Sequence, residues 1–258
     1  MPNPLHVHPL GKGYGWKRGL PTHKFPLYLS HVEAAALPPK VDLRPECPPV
    51  YDQGQLGSCT GNAWAGLVEY LQKKDGVAEA TPSRLFIYYN ERVIENEVAT
   101  DAGASISNGA QVVSTQGCPP ETDWPYVIAN FAEKPPAAAF ADGLNHLAFQ
   151  VQQVAQDLTA MKDLLANSLP IVIGFTVYQS FESPQVAKTG IVPLPRHNET
   201  VLGGHAVLVV GYDDSTSMFI VRNSWGTGWG QAGYFMMPYG YLTNPRLADD
   251  FWTANRTE

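Results

Sequence analysis

An α+β fold, a helical half followed by a strand-rich half, is what this sequence predicts. Three observations carry the prediction. Up to about residue 116 the apolar residues recur at helical spacing. From Ile171 onward they fall in short β-branched or aromatic runs bounded by Gly, Pro or Asp. The change of period happens once, with no internal repeat, and 258 residues at 44% hydrophobic and 16% charged suffice for one large domain or two small ones.

Residues 1–36 differ from the rest. They hold four of the seven histidines and Tyr14, Trp16, Phe25 and Tyr28 among Pro and Gly, which reads as an extension draped over a surface rather than a unit that folds alone. The main domain is then 37–258, a helical lobe over about 50–146 and a β-rich lobe over about 147–258. A helix begins at Cys59, with Ala63, Leu67 and Leu71 on one face, Lys73 and Lys74 in the last turn and Gly76 as the stop. Thr81-Pro82 signals a second helix whose stripe runs through Leu85, Ile87, Tyr88 and Val93 to about Glu97, and a shorter third runs from Ser107 to Gln116. Lys134 to Ala141, rich in Pro and Ala, reads as a surface crossing. Asp157 caps a further helix bearing Met161, Leu164 and Leu165, which ends near Asn167. Strands are predicted over Ile171–Val177, Ala206–Tyr212, Met218–Val221 and Tyr234–Met237. The seam between the two halves is where residues from both can converge on a site.

Composition excludes several functions. With 17 Lys+Arg against 24 Asp+Glu the net charge is −7 and no basic run exists, so nucleic acid is not an expected partner. No apolar run is long enough to span a membrane, and the start lacks a secretory leader, so a monomer in the cytoplasm, or one exported without a leader, is expected. Of three cysteines, Cys47 and Cys118 are expected to stay free rather than pair. Neither cofactor nor metal is expected: there is no Cys-x-x-Cys, and His6-x-His8 alone is a weak ligand pair.

Chemistry concentrates at three places. Gln53-Gly-Gln-Leu-Gly-Ser-Cys59 delivers a cysteine to the first turn of a helix, where free N–H groups favour a thiolate and Gly57 and Gly61 keep the sulfur open; the alternative is a buried structural thiol. His205, after two glycines, stands at the beginning of a strand at a sheet edge, able to face the seam as the base or to be a structural histidine. Asn223 ends a neighbouring strand and can orient an imidazole without adding a second buried charge, with Trp225 beside it either excluding water or anchoring the core.

His205 follows Cys59 by 146 residues and Asn223 follows it by 164, against about 130–150 in papain-like enzymes. With Leu37-Pro-Pro-Lys-Val-Asp-Leu-Arg44, Tyr51-Asp-Gln-Gly54, Gly57-Ser-Cys59, Asp123-Trp-Pro-Tyr126, Gly204-His-Ala206 and Asn223-Ser-Trp-Gly-Thr-Gly-Trp-Gly230, the sequence resembles the papain-like cysteine peptidases, in particular their compact bacterial branch. The resemblance implies a two-lobed fold with the site in the cleft and a thioester acyl-enzyme on Cys59. His205 would be the general acid and base, Asn223 would hold its ring, and Gln53 would donate to the oxyanion with the Cys59 N–H. It further implies that Gly103 and Ala104, in the loop from Asp101 to Ser105, line the groove. Gly174 and Ala206 would border the pocket for the residue two before the cut, with Gly204 and Trp225 completing the lining. Two departures stand out: Leu56 replaces a cysteine usually held in a disulfide, and Gly204 stands where many members have Asp or Asn. Endopeptidase action on a peptide or protein is the preferred expectation, ahead of an exopeptidase or a catalytically silent binding protein. The extension is expected across the catalytic domain near Cys59 as an inhibitor or gate, a stabilising strap being the alternative.

Overall fold

The computed structural model describes residues 11–19, 24–30, 32–33, 36–77 and 80–257; His6-x-His8 lies outside them. Helix α1 (Cys59–Asp75) leaves through Gly76 at φ 69°, the left-handed conformation that glycine adopts without strain. Every residue from Cys59 to Gln72 is buried, so α1 forms the centre of the molecule, packed on α2 (Arg84–Glu95), α3 (Ile106–Thr115) and the sheet. Gly61 is placed on the α2 side rather than beside the cleft: a Cβ there would lie 2.7 Å from the Arg84 carbonyl oxygen and 3.1 Å from the Tyr88 nitrogen. It is the close approach of two helices, not access to the sulfur, that calls for glycine at 61.

Two helical expectations need correction. α2 starts at Arg84, capped by the Ser83 side chain accepting from the Phe86 N–H, because Pro82 is taken up in a bridge with Pro120; Val93 is largely exposed and lies off the buried stripe. The stretch read as a surface crossing contains α4 (Ala137–Gly143), which follows Pro136 and buries Ala139, with Phe140 4.9 Å from the Phe86 ring. Consecutive alanines after a proline are strong helix formers, and a buried face was available to them. α5 (Leu158–Ala166) carries the expected Asp157 cap on the Ala160 N–H, and α6 (Pro184–Thr189) and α7 (Tyr239–Leu242) are short.

The strands are β1 (Leu27–Tyr28), β2 (Lys40–Asp42), β3 (Ala148–Phe149), β4 (Gln152–Val154), β5 (Ile171–Tyr178), β6 (Val201–Asp213), β7 (Met218–Arg222), β8 (Tyr234–Pro238), β9 (Ala248–Thr253) and β10 (Arg256–Thr257), the last paired with β3 apart from the main sheet. The main sheet runs β1-β4-β9-β5-β6-β7-β8, with β2 also on β6. β6 is central and antiparallel to both neighbours, with Phe175 opposite His205. His205 is therefore the fifth residue of a central strand, not at a strand's beginning on a sheet edge. The two glycines before it extend the strand instead of marking its start.

Part of the extension belongs to this sheet. β1 pairs in parallel with β4, the Phe25 ring stands 5.2 Å from Trp252, and the Tyr28 hydroxyl and Ser30 Oγ donate to Asp163 at 2.6 and 2.7 Å. Across the seam, residues 51–53 run antiparallel to 224–226: the Gln53 N–H donates to the Ser224 carbonyl and the Gly226 N–H to that of Tyr51, both at 2.9 Å. The Tyr51 ring lies between the guanidinium groups of Arg84 and Arg222 at 4.7 and 4.8 Å, and its hydroxyl donates to Glu69.

Replacing Gly61 by Ala should lower the denaturant-derived unfolding free energy by about 1–3 kcal/mol through overpacking, where helix propensity alone would raise it by about 1 kcal/mol. A rise would show that α1 and α2 do not meet as described.

Candidate active site

Cys59 opens α1 with its side chain fully buried. The backbones of Ala206, Gly15 and Thr60 hydrogen-bond to the sulfur, which sets the strand of His205 and the extension against the thiol at once. Burial nonetheless pushes the thiol up to about 12, outweighing those hydrogen bonds. This corrects the expectation of a depressed thiol, which concerned a helix terminus open to water.

His205 is fully buried, and its Nε2 lies 2.8 Å from Asn223 Oδ1. The same oxygen accepts from the Ser224 N–H at 2.8 Å. Since a backbone N–H can only donate, the amide oxygen must face this corner, and Nε2 is the protonated nitrogen. That leaves Nδ1 as the nitrogen for proton transfer. The ring lies 4.9 Å from Trp225, tilted by 30°, and is met edge-on by Phe175 and Tyr14 at 5.8 and 5.9 Å.

Gln53 is fully buried, and its amide has one available orientation. The amide nitrogen faces the carbonyls of Leu56 and Gly13, which can only accept, at 2.8 and 3.1 Å, and Oε1 is left to accept from Ser224 Oγ at 2.6 Å. A peptide carbonyl from the extension thus occupies the amide on which an oxyanion is expected.

The extension crosses the cleft as a strand. The Trp16 N–H donates to the Gly204 carbonyl (3.0 Å), the Lys17 N–H to that of Ala104 (2.9 Å), and the Ala104 N–H to that of Gly15 (2.7 Å), so Trp16 and Ala104 form a parallel bridge. Glycines let it sit this deep. A Cβ on Gly15 would lie 1.6 Å from the Gly57 oxygen, one on Gly103 2.0 Å from the Gly15 oxygen, and ones on Gly174 and Gly204 2.0 and 2.4 Å from Trp16 atoms. The departure at Gly204 therefore has a local reason: a side chain there would expel Trp16. The crossing is also held by charge and polar bonds. Lys12 pairs with Asp52, Lys17 with Glu95 and Glu97, Arg18 with Asp249, and the Tyr14 hydroxyl donates to Glu182.

The structure thus brings Cys59, His205, Asn223 and Gln53 to one seam and sets Gly103, Ala104, Gly174, Gly204 and Trp225 along the extension. Ala206 stands at the sulfur instead. Cys47 and Cys118 are free thiols. Among the described residues no group of His, Cys, Asp and Glu could hold a metal ion, and no helix is long and apolar enough to cross a membrane. Sequence reasoning missed Ser224, which orients Gln53. It also missed Asp250, which takes Nε1–H bonds from Trp252 and Trp16 at 2.6 and 3.3 Å and is held above the usual carboxylate range by burial. Ser224 lies inside a quoted motif; Asp250 had no signal beyond its acidic neighbour Asp249.

Residues 37–250 match the family described as papain family cysteine protease. The chain is 41% identical over 224 residues to an uncharacterized peptidase C1-like protein of Acanthamoeba polyphaga mimivirus, covering 83% of this chain and 71% of that one. It is 28% identical over 224 residues to cysteine proteinase 3 of Entamoeba histolytica, covering 84% and 68%. Xylellain, a cysteine protease from Xylella fastidiosa, superposes with a TM-score of 0.91 at 41% identity over 96% of this chain and 97% of that one. Digestive procathepsin L 3 of Tenebrio molitor, at TM-score 0.70 and 22% identity over 92% and 76%, shares the fold.

Iodoacetamide should alkylate Cys59 more slowly than a free thiol at pH 8, with a rate rising towards an apparent pKa well above about 8.5. Gly15→Ala, which cannot keep the segment against Gly57, should speed the reaction at least tenfold and move the pKa down. Equal rates in both chains would mean that the segment does not govern the thiol.

Proposed function

The chain belongs to the papain family of cysteine proteases, and we propose that Cys59, His205, Asn223 and Gln53 carry its hydrolysis of peptide bonds, with residues 12–18 as a built-in cover. It is a cysteine-type peptidase with an α+β, papain-like fold. The observation that carries the residue assignment is the extension itself, which lays peptide backbone past the sulfur with one carbonyl on the Gln53 amide.

In the uncovered cleft, the Cys59 thiolate attacks the scissile carbonyl while His205 carries the proton. The Gln53 Nε2–H and Cys59 N–H donate to the oxyanion. The amine leaves with the His205 proton, giving a thioester. His205 then takes a proton from water, whose oxygen attacks the thioester, releasing the acid and restoring the thiol. Asn223 fixes the tautomer throughout. Trp225, against the His205 ring, keeps water from that bond.

Endopeptidase action is the reading we favour, because the segment continues on both sides of the thiol, through Lys12 and Tyr14 on one side and Trp16 to Arg18 on the other. A cleft that admits chain in both directions suits cleavage within a polypeptide. The cover reading draws further support from the procathepsins among proteins of the same fold. Gating and strapping are here two parts of one extension: residues 12–18 occupy the cleft while β1 stays in the sheet.

Cys59→Ala should abolish turnover. Gln53→Ala should lower kcat by about 10²- to 10³-fold with a small change in KM, as read from steady-state kinetics on a fluorogenic peptide; an unchanged kcat removes Gln53 from the site. Gly15→Ala should raise kcat/KM several-fold. In that variant, peptides blocked at both ends should be cut internally, and cleavage confined to free-amino peptides would establish an exopeptidase.

A further inference from the structure

The loop that delivers Cys59 and the edge that holds peptide backbone belong to different stretches of chain, and no disulfide ties them, since all three cysteines are free. They meet at a single carboxylate. Both oxygens of Asp101 accept from the Gly57 N–H, Oδ1 at 3.1 Å and Oδ2 at 3.0 Å, two residues before the nucleophile. Oδ1 also accepts from the Tyr88 hydroxyl, and the same hydroxyl oxygen accepts from the Gly103 N–H at 3.1 Å. Gly103 is followed by Ala104, whose N–H and carbonyl make the two backbone bonds to the extension.

The chemistry of the junction suits a carboxylate. Asp101 receives a backbone N–H and a phenol O–H, both donors, and an ionised carboxylate is an acceptor on every lone pair. An amide would turn its NH2 towards one of them. Tyr88 is itself fixed: it is fully buried, the Arg92 guanidinium lies 4.1 Å over its ring, and burial holds its hydroxyl well above its usual range, so it stays a donor. Arg92 in turn donates to the carbonyls of Val98 and Thr100 at 2.8 and 3.2 Å and to that of Phe131, holding the start of the loop that carries Asp101. A side chain at position 57 would press on the same carboxylate, its Cβ standing 3.0 Å from Asp101 Oδ1.

We propose that Asp101 is a positioning residue for the reaction, whose carboxylate clamps the nucleophile loop at Gly57 and, through Tyr88, the peptide-holding edge at Gly103 and Ala104. It touches neither substrate nor sulfur. It sets the distance between the attacking atom and the backbone being attacked, a separation in which an error of about 1 Å costs on the order of 10²-fold in rate. The proposal rests on the assignment of Cys59 as nucleophile and of Ala104 as a substrate-holding position.

The test combines hydrogen exchange with kinetics. In the full chain, Asp101→Ala should accelerate exchange of the Gly57 and Ala104 amides, and Tyr88→Phe that of Gly103 and Ala104 while sparing Gly57. With Gly15→Ala added to clear the cleft, Asp101→Ala should lower kcat and raise KM for an extended fluorogenic peptide, so that kcat/KM falls at least about tenfold, the loss expected when one charge-assisted hydrogen bond goes. Iodoacetamide, which needs no peptide-holding edge, should alkylate Cys59 within about twofold of the parent rate. Asp101→Asn should recover part of the lost kcat/KM. A merely structural role would lower Tm without this split. Unchanged Gly57 exchange in Asp101→Ala overturns the clamp whether or not the chain hydrolyses anything, so the result does not depend on the nucleophile assignment. If Asp101→Ala fails to fold, Asp101→Asn reads the Gly57 amide and Tyr88→Phe those of Gly103 and Ala104, and unchanged exchange in both overturns it equally.

Discussion

Three residues of chain from each side of the molecule, 51–53 and 224–226, lie antiparallel, and the position of every reactive group depends on that short ladder. Gln53 comes from the stretch that leads into α1 and Cys59. Ser224 and Asn223 follow the strand beside that of His205. The ladder fixes the two halves in register, and Ser224 then reaches back to orient Gln53 while Asn223 orients His205. Neither amide could be placed by its own half alone. The Tyr51 ring between two guanidinium groups, Arg222 being anchored on the carbonyls of Pro48 and Pro49, stiffens the same crossing.

The covered site is closed in two ways. Sterically, Gly15 lies on the Gly57 backbone, with the aromatic rings of its neighbours Tyr14 and Trp16 packed against Trp225 and Gly174. Electrostatically, the same contact removes water from the sulfur, and the cost of an unsolvated thiolate overrides the hydrogen bonds that would favour it. Ion pairs also hold the crossing. Lys12, Lys17 and Arg18 meet Asp52, Glu95, Glu97 and Asp249 around the cleft, a distribution that the net charge of −7 does not reveal.

Much of this was legible in the sequence, for definable reasons. α1 and α5 were readable because apolar spacing and caps coincide, and Cys59, His205, Asn223 and Gln53 because their order and spacing survive in one dimension. Reading failed where packing, not local pattern, decides. Gly61 serves helix contact, Gly204 serves Trp16, and His205 sits mid-strand because β6 continues through two glycines that normally interrupt a strand. α4 depended on a buried face that its Pro/Ala composition does not announce. Asp101 and Asp250 act through partners 44 and 234 residues away, and nothing in their local sequence points there.

The central claim is that one thiol, prepared by this seam, is the nucleophile. It is tested most directly by treating the Gly15→Ala chain with a peptidyl vinyl sulfone and mapping the adduct by mass spectrometry, alongside the same chain carrying His205→Ala. The account predicts a single adduct on Cys59, with Cys47 and Cys118 unmodified and labelling lost without His205. Labelling of Cys47 or Cys118 in place of Cys59, or equal labelling of Cys59 with and without His205, would contradict it.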